Sequence, residues 1–443
     1  MIRRLVIPRL SWALVVAVAV FAAVAGFQLG GGTIPVVPTV DDELLYVGAA
    51  GLFGLGVFAT MLKRPDVIGR ITPTLYVVVA LLPLLRFSIP GILIIRFLPL
   101  ALMAPVVYSL YRDAQPVASH TRIARVAMFA AFATASSSLI ANRSGTDYMR
   151  LVLMVGGIVL LVGAAPRAWS STWQASVEKA VGIAWRLVVV SSVVLLPFSS
   201  SFLSERLRGA WESPNTLGAL IALTTPIAAM RARFPVVYWL IAYTLSIASG
   251  SRGGLLALSV ALVVVLIQRR RFIQLAALSL VGAGILSSGL VRLQSSHQET
   301  FGINTRRLVW EDVFAAFQNS PLTGYGFGAI TDHVYSPQVQ RWVGSSPQTH
   351  SSWLDGLYEQ GVLAMVPWVF ALLLGLRMAF RAGPMWGVTM LAGLVSATFE
   401  SWMFAIGGGL GSLYWLIFGA AMLGARSKGA AVDMPAVVEA ADV

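Results

Sequence analysis

Arg206, Arg208, Arg252, Arg306, Arg307 and Arg341 fall in polar segments between apolar runs, in company with acids rather than with other basic clusters. A guanidinium stays charged at physiological pH and presents a planar fork that matches phosphate oxygens. A set of arginines meeting in one cleft therefore suits a phosphate or diphosphate ligand. For each arginine the alternative is a solvated loop charge paired with Glu205, Glu299 or Asp312, worth little energetically, and the residues alone leave both readings open. Arg252 differs. It follows Gly250-Ser251, precedes Gly253-Gly254 and has apolar runs on both sides, where an ionisable group is costly and more often functional. Arg96, within Ile94-Ile95-Arg96-Phe97-Leu98, reads equally as a contact to a lipid phosphate and as a side chain snorkelling to the interface.

Two features could act beside such a cluster. Ser213 and Pro214 are a plausible N-cap and first residue of a helix, whose free N–H groups and positive dipole end would favour an anion held by Arg206 and Arg208. An ordinary capped helix has the same sequence. His350 precedes Ser351-Ser352-Trp353-Leu354-Asp355, where Ser352 and Asp355 have capping-box-like spacing. At a helix N-terminus among arginines its ring is expected to be neutral, as a general base requires. On the residues alone, a polar residue at a helix start is the plainer reading. Asp332-His333 with His350 lacks the spacing of a metal site. The absence of Cys excludes thiolate catalysis, disulfides and Cys-based metal centres.

The elements that must position these residues are apolar. Of 443 residues 57% are hydrophobic and 12% charged, about half the charged fraction of a soluble domain. Bilayer-length apolar runs recur along almost the whole chain. Spans are expected near Leu10–Phe27, Leu44–Leu62, Ile71–Leu85, Ile92–Leu110, Ile123–Ala141, Leu151–Ala164 and Val181–Pro197. Further spans are expected near Leu217–Met230, Val236–Ser249, Leu255–Gln268, Phe272–Leu290, Trp353–Leu376, Met385–Thr398 and Leu413–Leu423. The fold class is thus an all-α polytopic membrane protein with about 12–14 transmembrane helices. The start, Met1 to Phe27, is shaped like a signal peptide but reads as a retained first helix.

Lys63-Arg64, Arg112, Arg122, Arg125, Arg231, Arg233, Arg269-Arg270-Arg271, Arg377 and Arg381 occupy alternate loops, the positive-inside pattern. This places both termini in the cytoplasm and the arginines of interest outside. It also accounts for most of the net charge of +13, so no nucleic acid partner is implied. One outer loop, about 291–352, is longer than membrane connections usually are. Asn304 can cap a helix there, and Leu308, Val309, Val313, Phe314 and Phe317 recur at helical spacing before Pro321, Gly324, Gly326 and Gly328 end it. An amphipathic helix on or near the membrane surface is expected. Residues 1–428 read as one integral-membrane domain and 429–443 as a flexible cytoplasmic tail.

In order, Arg208-Gly-Ala-Trp-Glu-Ser-Pro-Asn-Thr-Leu-Gly218, Ser251-Arg-Gly-Gly-Leu-Leu256, and Arg306-Arg-Leu-Val-Trp310 with Asn319-Ser-Pro-Leu-Thr-Gly-Tyr-Gly-Phe-Gly328 and His350-Ser-Ser-Trp-Leu-Asp-Gly-Leu-Tyr-Glu-Gln-Gly361 resemble the O-antigen ligase and O-antigen polymerase family of bacterial membrane glycosyltransferases. The resemblance covers roughly Leu203 to Phe370, with Ser351 standing where Asn commonly follows the His. It implies a glycosyltransferase-C-like helical fold. It also implies transfer of a glycan from undecaprenyl diphosphate to an acceptor hydroxyl outside the cytoplasmic (inner) membrane.

The resemblance further assigns Arg208 and Arg306 to the diphosphate, with Arg252 structural or supporting, and His350 as the base. Arg206 and Arg307 are added as neighbours of the clamp. Because the donor is already activated and arginines can meet the developing charge, no nucleotide, metal or other cofactor is expected, and attack opposite the diphosphate would invert configuration. The acceptor is another lipid-linked glycan for a polymerase, and lipid A-core or protein for a ligase. A transporter or flippase is the alternative class. Such proteins usually place ionisable and helix-breaking residues near the midplane in paired halves, whereas here the polar cluster lies at one surface and no internal repeat is evident.

Overall fold

The computed structural model describes most of residues 173–198, 202–271, 303–340, 349–404 and 409–432, with scattered positions between 73 and 164. The expected spans Leu10–Phe27, Leu44–Leu62, Ile92–Leu110 and most of Phe272–Leu290 lie outside the described residues, as do Arg96, Arg341 and the chain after Val432. Helices α1 (Trp173–Val194), α2 (Pro214–Met230), α3 (Pro235–Ala248), α4 (Arg252–Gln268), α5 (Ile303–Phe317), α6 (Ser352–Ala382), α7 (Pro384–Ala397) and α8 (Gly409–Val432) follow in order. Between α1 and α2, β1 (Phe202–Leu203) and β2 (Arg206–Leu207) form a minimal antiparallel hairpin, Leu203 opposite Arg206.

Local chemistry fixes most of the helix starts. Proline opens α2, α3 and α7, where its fixed φ suits the first turn and its missing N–H costs nothing. Ser213, Ser251 and Ser351 cap α2, α4 and α6, accepting from Thr216 N, Gly254 N and Leu354 N. The α6 cap is therefore one residue earlier than the capping-box spacing suggests. Two other starts differ from expectation. Helix α5 begins at Ile303, which leaves Asn304 inside the first turn. Helix α1 begins about two turns before the apolar run at Val181; Glu178, within those turns, is buried and paired to Arg231.

Helix α2 is buried on nearly every side and packs against α1, α3, α4 and α7. Small residues let it do so. A Cβ on Gly254 would fall 2.6 Å from the Gly218 backbone, so α2 and α4 cross at nearly bare main chain. Helices α3 and α6 instead turn apolar side chains outward: Val236, Leu240 and Ile247 on α3, and Leu363, Val366, Phe370 and Leu373 on α6. Such stripes are costly in water and neutral in lipid. Helix α6 is long and apolar enough to cross a membrane, and α3, α4, α7 and Gly409–Leu423 are shorter apolar helices.

Helix α6 is not continuous. Gly361 has φ 65° and ψ 179°, which breaks the helical ladder. The backbone groups this frees are taken up by the loop after α5. Tyr325 N donates to Tyr358 O at 2.9 Å and Gly326 N to Glu359 O at 2.7 Å. In return Val362 N donates to Pro321 O and Leu363 N to Leu322 O, at 2.9 and 3.1 Å. Gly324 and Gly361 meet at this seam, and a Cβ on either would strike the other segment's backbone. The apolar face of α5 packs on the same region: Val309 and Val313 join Ala329, Ile330, Tyr335, Val339 and Tyr358 in a small second core. The amphipathic helix thus spends its apolar face largely on protein rather than on a membrane surface.

Candidate functional site

Contacts gather the starts of α2, α4 and α6 and the end of α7 at one end of the bundle, while Arg231 and Arg233, Arg269, Arg270 and Arg271, and Arg381 lie at the opposite ends of α2, α4 and α6. The hub of the first end is the turn after α7. Its Phe399 packs over Gly253, where a Cβ would fall 2.7 Å from Phe399 Cβ. The Phe399 carbonyl accepts from Arg306 Nη1 at 3.2 Å. The next carbonyl, of Glu400, accepts from Ser352 N at 3.2 Å and from Ser352 Oγ at 2.7 Å. Ser352 Oγ in turn accepts from Trp402 N and Met403 N at 2.9 and 3.0 Å. Ser352 therefore ties α6 to this turn rather than capping the helix.

The Glu400 side chain stands between the two residue types that the sequence reading paired. Its Oε1 is 3.5 Å from Arg306 Nη2 and its Oε2 is 3.6 Å from His350 Nδ1. Both are ion-pair distances rather than hydrogen bonds. Glu400 is 16% exposed, Arg306 30% and His350 39%, so the carboxylate is shielded while the histidine stays open to a ligand. The sequence reading missed Glu400 and took the surroundings of His350 as wholly cationic. A signal was available: Glu400 is a lone acid directly after an apolar span, where an ionisable side chain has reason to be functional.

His350 is held in an unusual backbone state, φ 52°. Histidine is among the residues that reach the left-handed region at a modest cost, but the neighbours must hold it there. They do so from both sides. The Thr349 carbonyl accepts from Trp310 Nε1 at 2.7 Å, and the buried Thr349 hydroxyl donates to Asp355 Oδ1. Ser351 N donates to Ser401 Oγ at 3.0 Å and lies 3.1 Å from Thr349 Oγ1. Ser351, where the resembling family has Asn, caps α6, a task for which both residues are favoured.

The arginines have distinct positions. Arg206, on β2, donates from Nε to Ser249 O at 2.9 Å and from Nη2 to Gly250 O at 3.0 Å and Asn215 Oδ1 at 2.8 Å. It clamps the α3–α4 turn to the first turn of α2. Gly250, with φ 58°, leaves room for it: a Cβ there would fall 2.9 Å from Arg206 Nε. Burial lowers the pKa of Arg206; Glu400 opposes this, and Arg306 and Arg252 add to it. Arg206, Arg252, Arg306 and Glu400 therefore share one electrostatic neighbourhood. Arg252 is the exposed first residue of α4, and half-buried Arg208 accepts Trp211 N at its carbonyl, 3.1 Å away.

Arg307 stands apart. It is 75% exposed and pairs with Glu311 at 2.6 Å, one helical turn on. It borders a largely apolar groove of about 450 Å³ between α5 and α6, walled by Trp310, Phe314, Trp353, Leu354 and Leu357. His333 is also separate from His350, with Nδ1 3.0 Å from Tyr358 Oη and Nε2 3.4 Å from Asp312 Oδ2 in the second core.

Residues 236–369 match the family model described as O-antigen ligase. The similarity to that family runs from α3 into α6. Arg252, Arg306 and His350 fall within the matched segment; Arg206, Arg208 and Glu400 fall outside it. No curated protein matches the chain.

Proposed function

We propose that this chain transfers a glycan from undecaprenyl diphosphate to an acceptor hydroxyl, as a polysaccharide polymerase or an O-antigen ligase. The observation that carries the reading is the Glu400 carboxylate set between Arg306 and His350, which joins an anion-binding group to a candidate base at one end of the bundle. Arg306, Arg208 and Arg252 bind the diphosphate, Arg206 braces the α2–α4 corner behind them, and Arg307 contributes little. The arginines concentrate fixed positive charge where the leaving diphosphate becomes more negative, so neither a nucleotide nor a metal is called for.

His350 takes the acceptor proton. With Nδ1 facing Glu400, the ring keeps a hydrogen on Nδ1 and a lone pair on Nε2. Nε2 removes the proton from the acceptor hydroxyl as that oxygen bonds to the anomeric carbon. The bond from that carbon to the diphosphate oxygen breaks, and undecaprenyl diphosphate leaves with the electron pair. Glu400 steadies the imidazolium that forms, and attack from the face opposite the diphosphate inverts the anomeric configuration. The aromatic groove beside Ser351 offers Trp310 and Trp353 as stacking surfaces for a sugar.

In this reading the chain crosses the inner membrane many times, with the arginine cluster on the periplasmic face and the basic end of the bundle in the cytoplasm. Polymerase and ligase share these motifs. The test is transfer by purified protein from lipid-linked oligosaccharide, without nucleotide and with EDTA. Longer lipid-linked products indicate a polymerase, and product formed only with added lipid A-core or protein indicates a ligase. Loss in both His350→Ala and Arg306→Ala supports the site, whereas full activity in both variants removes it.

A further inference from the structure

At the end of the bundle opposite His350, α1, α2 and α3 enclose a cavity of about 200 Å³ lined by Glu178, Lys179, Gly182, Arg186, Arg231 and Tyr238. Three cations face one carboxylate. Glu178, 7% exposed, is taken by Arg231, which leaves Lys179 and Arg186 without an acid among the described residues. These two lie on one face of α1, about two turns apart. Arg186 is half-buried well inside an apolar helix and makes no hydrogen bond or ion pair among the described residues.

A second depression begins where the first ends. It shares Arg186 and Tyr238 and continues along α1 past Val189 and Val190. Its aromatic wall is rigid: Trp185 and Tyr238 stack at 4.3 Å and 25°, and Trp185 Nε1 donates to Thr225 Oγ1 at 3.1 Å. The first cavity exists because position 182 has no side chain, and a Cβ there would meet nothing within 4 Å. A charged pocket at a helix-bundle end thus opens onto an apolar track leading toward the bundle's middle.

We propose that these paired cavities bind an anionic glycerophospholipid, its phosphate between Lys179 and Arg186 and an acyl chain along Val189, Val190 and Tyr238. A guanidinium at this depth calls for a counter-anion. The leaflet supplies one whose tail has the chemistry of the adjoining track, and basic pockets at such ends suit lipid phosphates. The site is independent of the glycan-transfer reading.

The test is native mass spectrometry of the full chain, exchanged into mild detergent with phosphatidylglycerol or phosphatidylcholine at equal concentration. The wild type is expected to retain phosphatidylglycerol about tenfold more than phosphatidylcholine, the worth of one charge-assisted hydrogen bond. Gly182→Leu, which fills the cavity without touching a charge, and Arg186→Gln should both abolish the preference. Arg381→Gln, at the same basic end but outside the cavity, should keep it. If Gly182→Leu does not fold, Lys179→Gln at an exposed position carries the same expectation. Equal retention of both lipids by the wild type overturns the proposal, as does an unchanged preference in Gly182→Leu and Arg186→Gln. An equal loss in Arg381→Gln would reduce the effect to general charge attraction, and displacement of the lipid by millimolar inorganic phosphate would make this a free-phosphate site. Either result also overturns it.

Discussion

Replacing Glu400 by Gln removes a charge and almost no volume, and it leaves the Glu400 backbone carbonyl on Ser352 untouched. The oxygen lies 3.6 Å from His350 Nδ1, and at an effective dielectric of about 20 a full charge pair at that separation is worth about 4–5 kcal/mol. His350 is 39% exposed, and solvent screening reduces the interaction to about 1.5–3 kcal/mol. That charge acts when the imidazolium forms, so the loss should appear in kcat, about 10- to 100-fold. KM for the donor should stay within about threefold of the wild type, because Arg306 keeps its hydrogen bond to Phe399 O. The assay is steady-state transfer from lipid-linked oligosaccharide, with size-exclusion profiles confirming that the variant is folded. A Glu400→Gln enzyme with wild-type kcat, measured beside an inactive His350→Ala enzyme, would show that the carboxylate does not position the base. A loss confined to KM would assign Glu400 to donor binding instead.

Arg306→Ala should lower kcat/KM at least about a hundredfold and Arg307→Ala less than about threefold, because Arg307 is an exposed partner of Glu311; parallel kinetics on the two variants decide it. Ser351→Ala should destabilise the α6 cap by about 1 kcal/mol and reduce turnover, while Ser351→Asn restores both, as read by thermal unfolding and transfer rate. Gly361→Ala combines a positive φ with a collision against the Leu322 carbonyl. It should cost about 3 kcal/mol or more, seen as a lower unfolding temperature in detergent together with loss of transfer.

The helices at Leu217–Met230, Val236–Ser249, Leu255–Gln268, Met385–Thr398 and Leu413–Leu423 were legible because local signals mark them: an apolar run, a proline at the first turn or a serine cap. The break at Gly361 was hidden. Its partners are the Pro321–Gly326 backbone, and the apolar pattern runs through it uninterrupted. The first two turns of α1 were missed because the charge of Glu178 is neutralised only by Arg231, which arrives at the end of the next helix. Arg206 and Arg307 show the same limit, for type and neighbourhood in sequence favoured both, whereas geometry makes one a half-buried brace and the other a surface ion pair. Glu400 had no motif to announce it. Its meaning comes from Arg306 and His350, residues brought to it only by the packing of α5, α6 and α7.

The turn after α7 also has a bearing on when the protein becomes competent. Chains of this size acquire structure progressively during synthesis, and Arg306 and His350 both emerge well before Glu400. Until the ribosome has passed the end of α7, the two have no shared carboxylate, Ser352 has no carbonyl to hold, and the strained His350 backbone lacks its Ser401 anchor. A fragment ending at residue 369 would carry the matched family segment and still leave these groups without a fixed mutual orientation. Competence waits on the turn after α7, which is made only after the residues it organises.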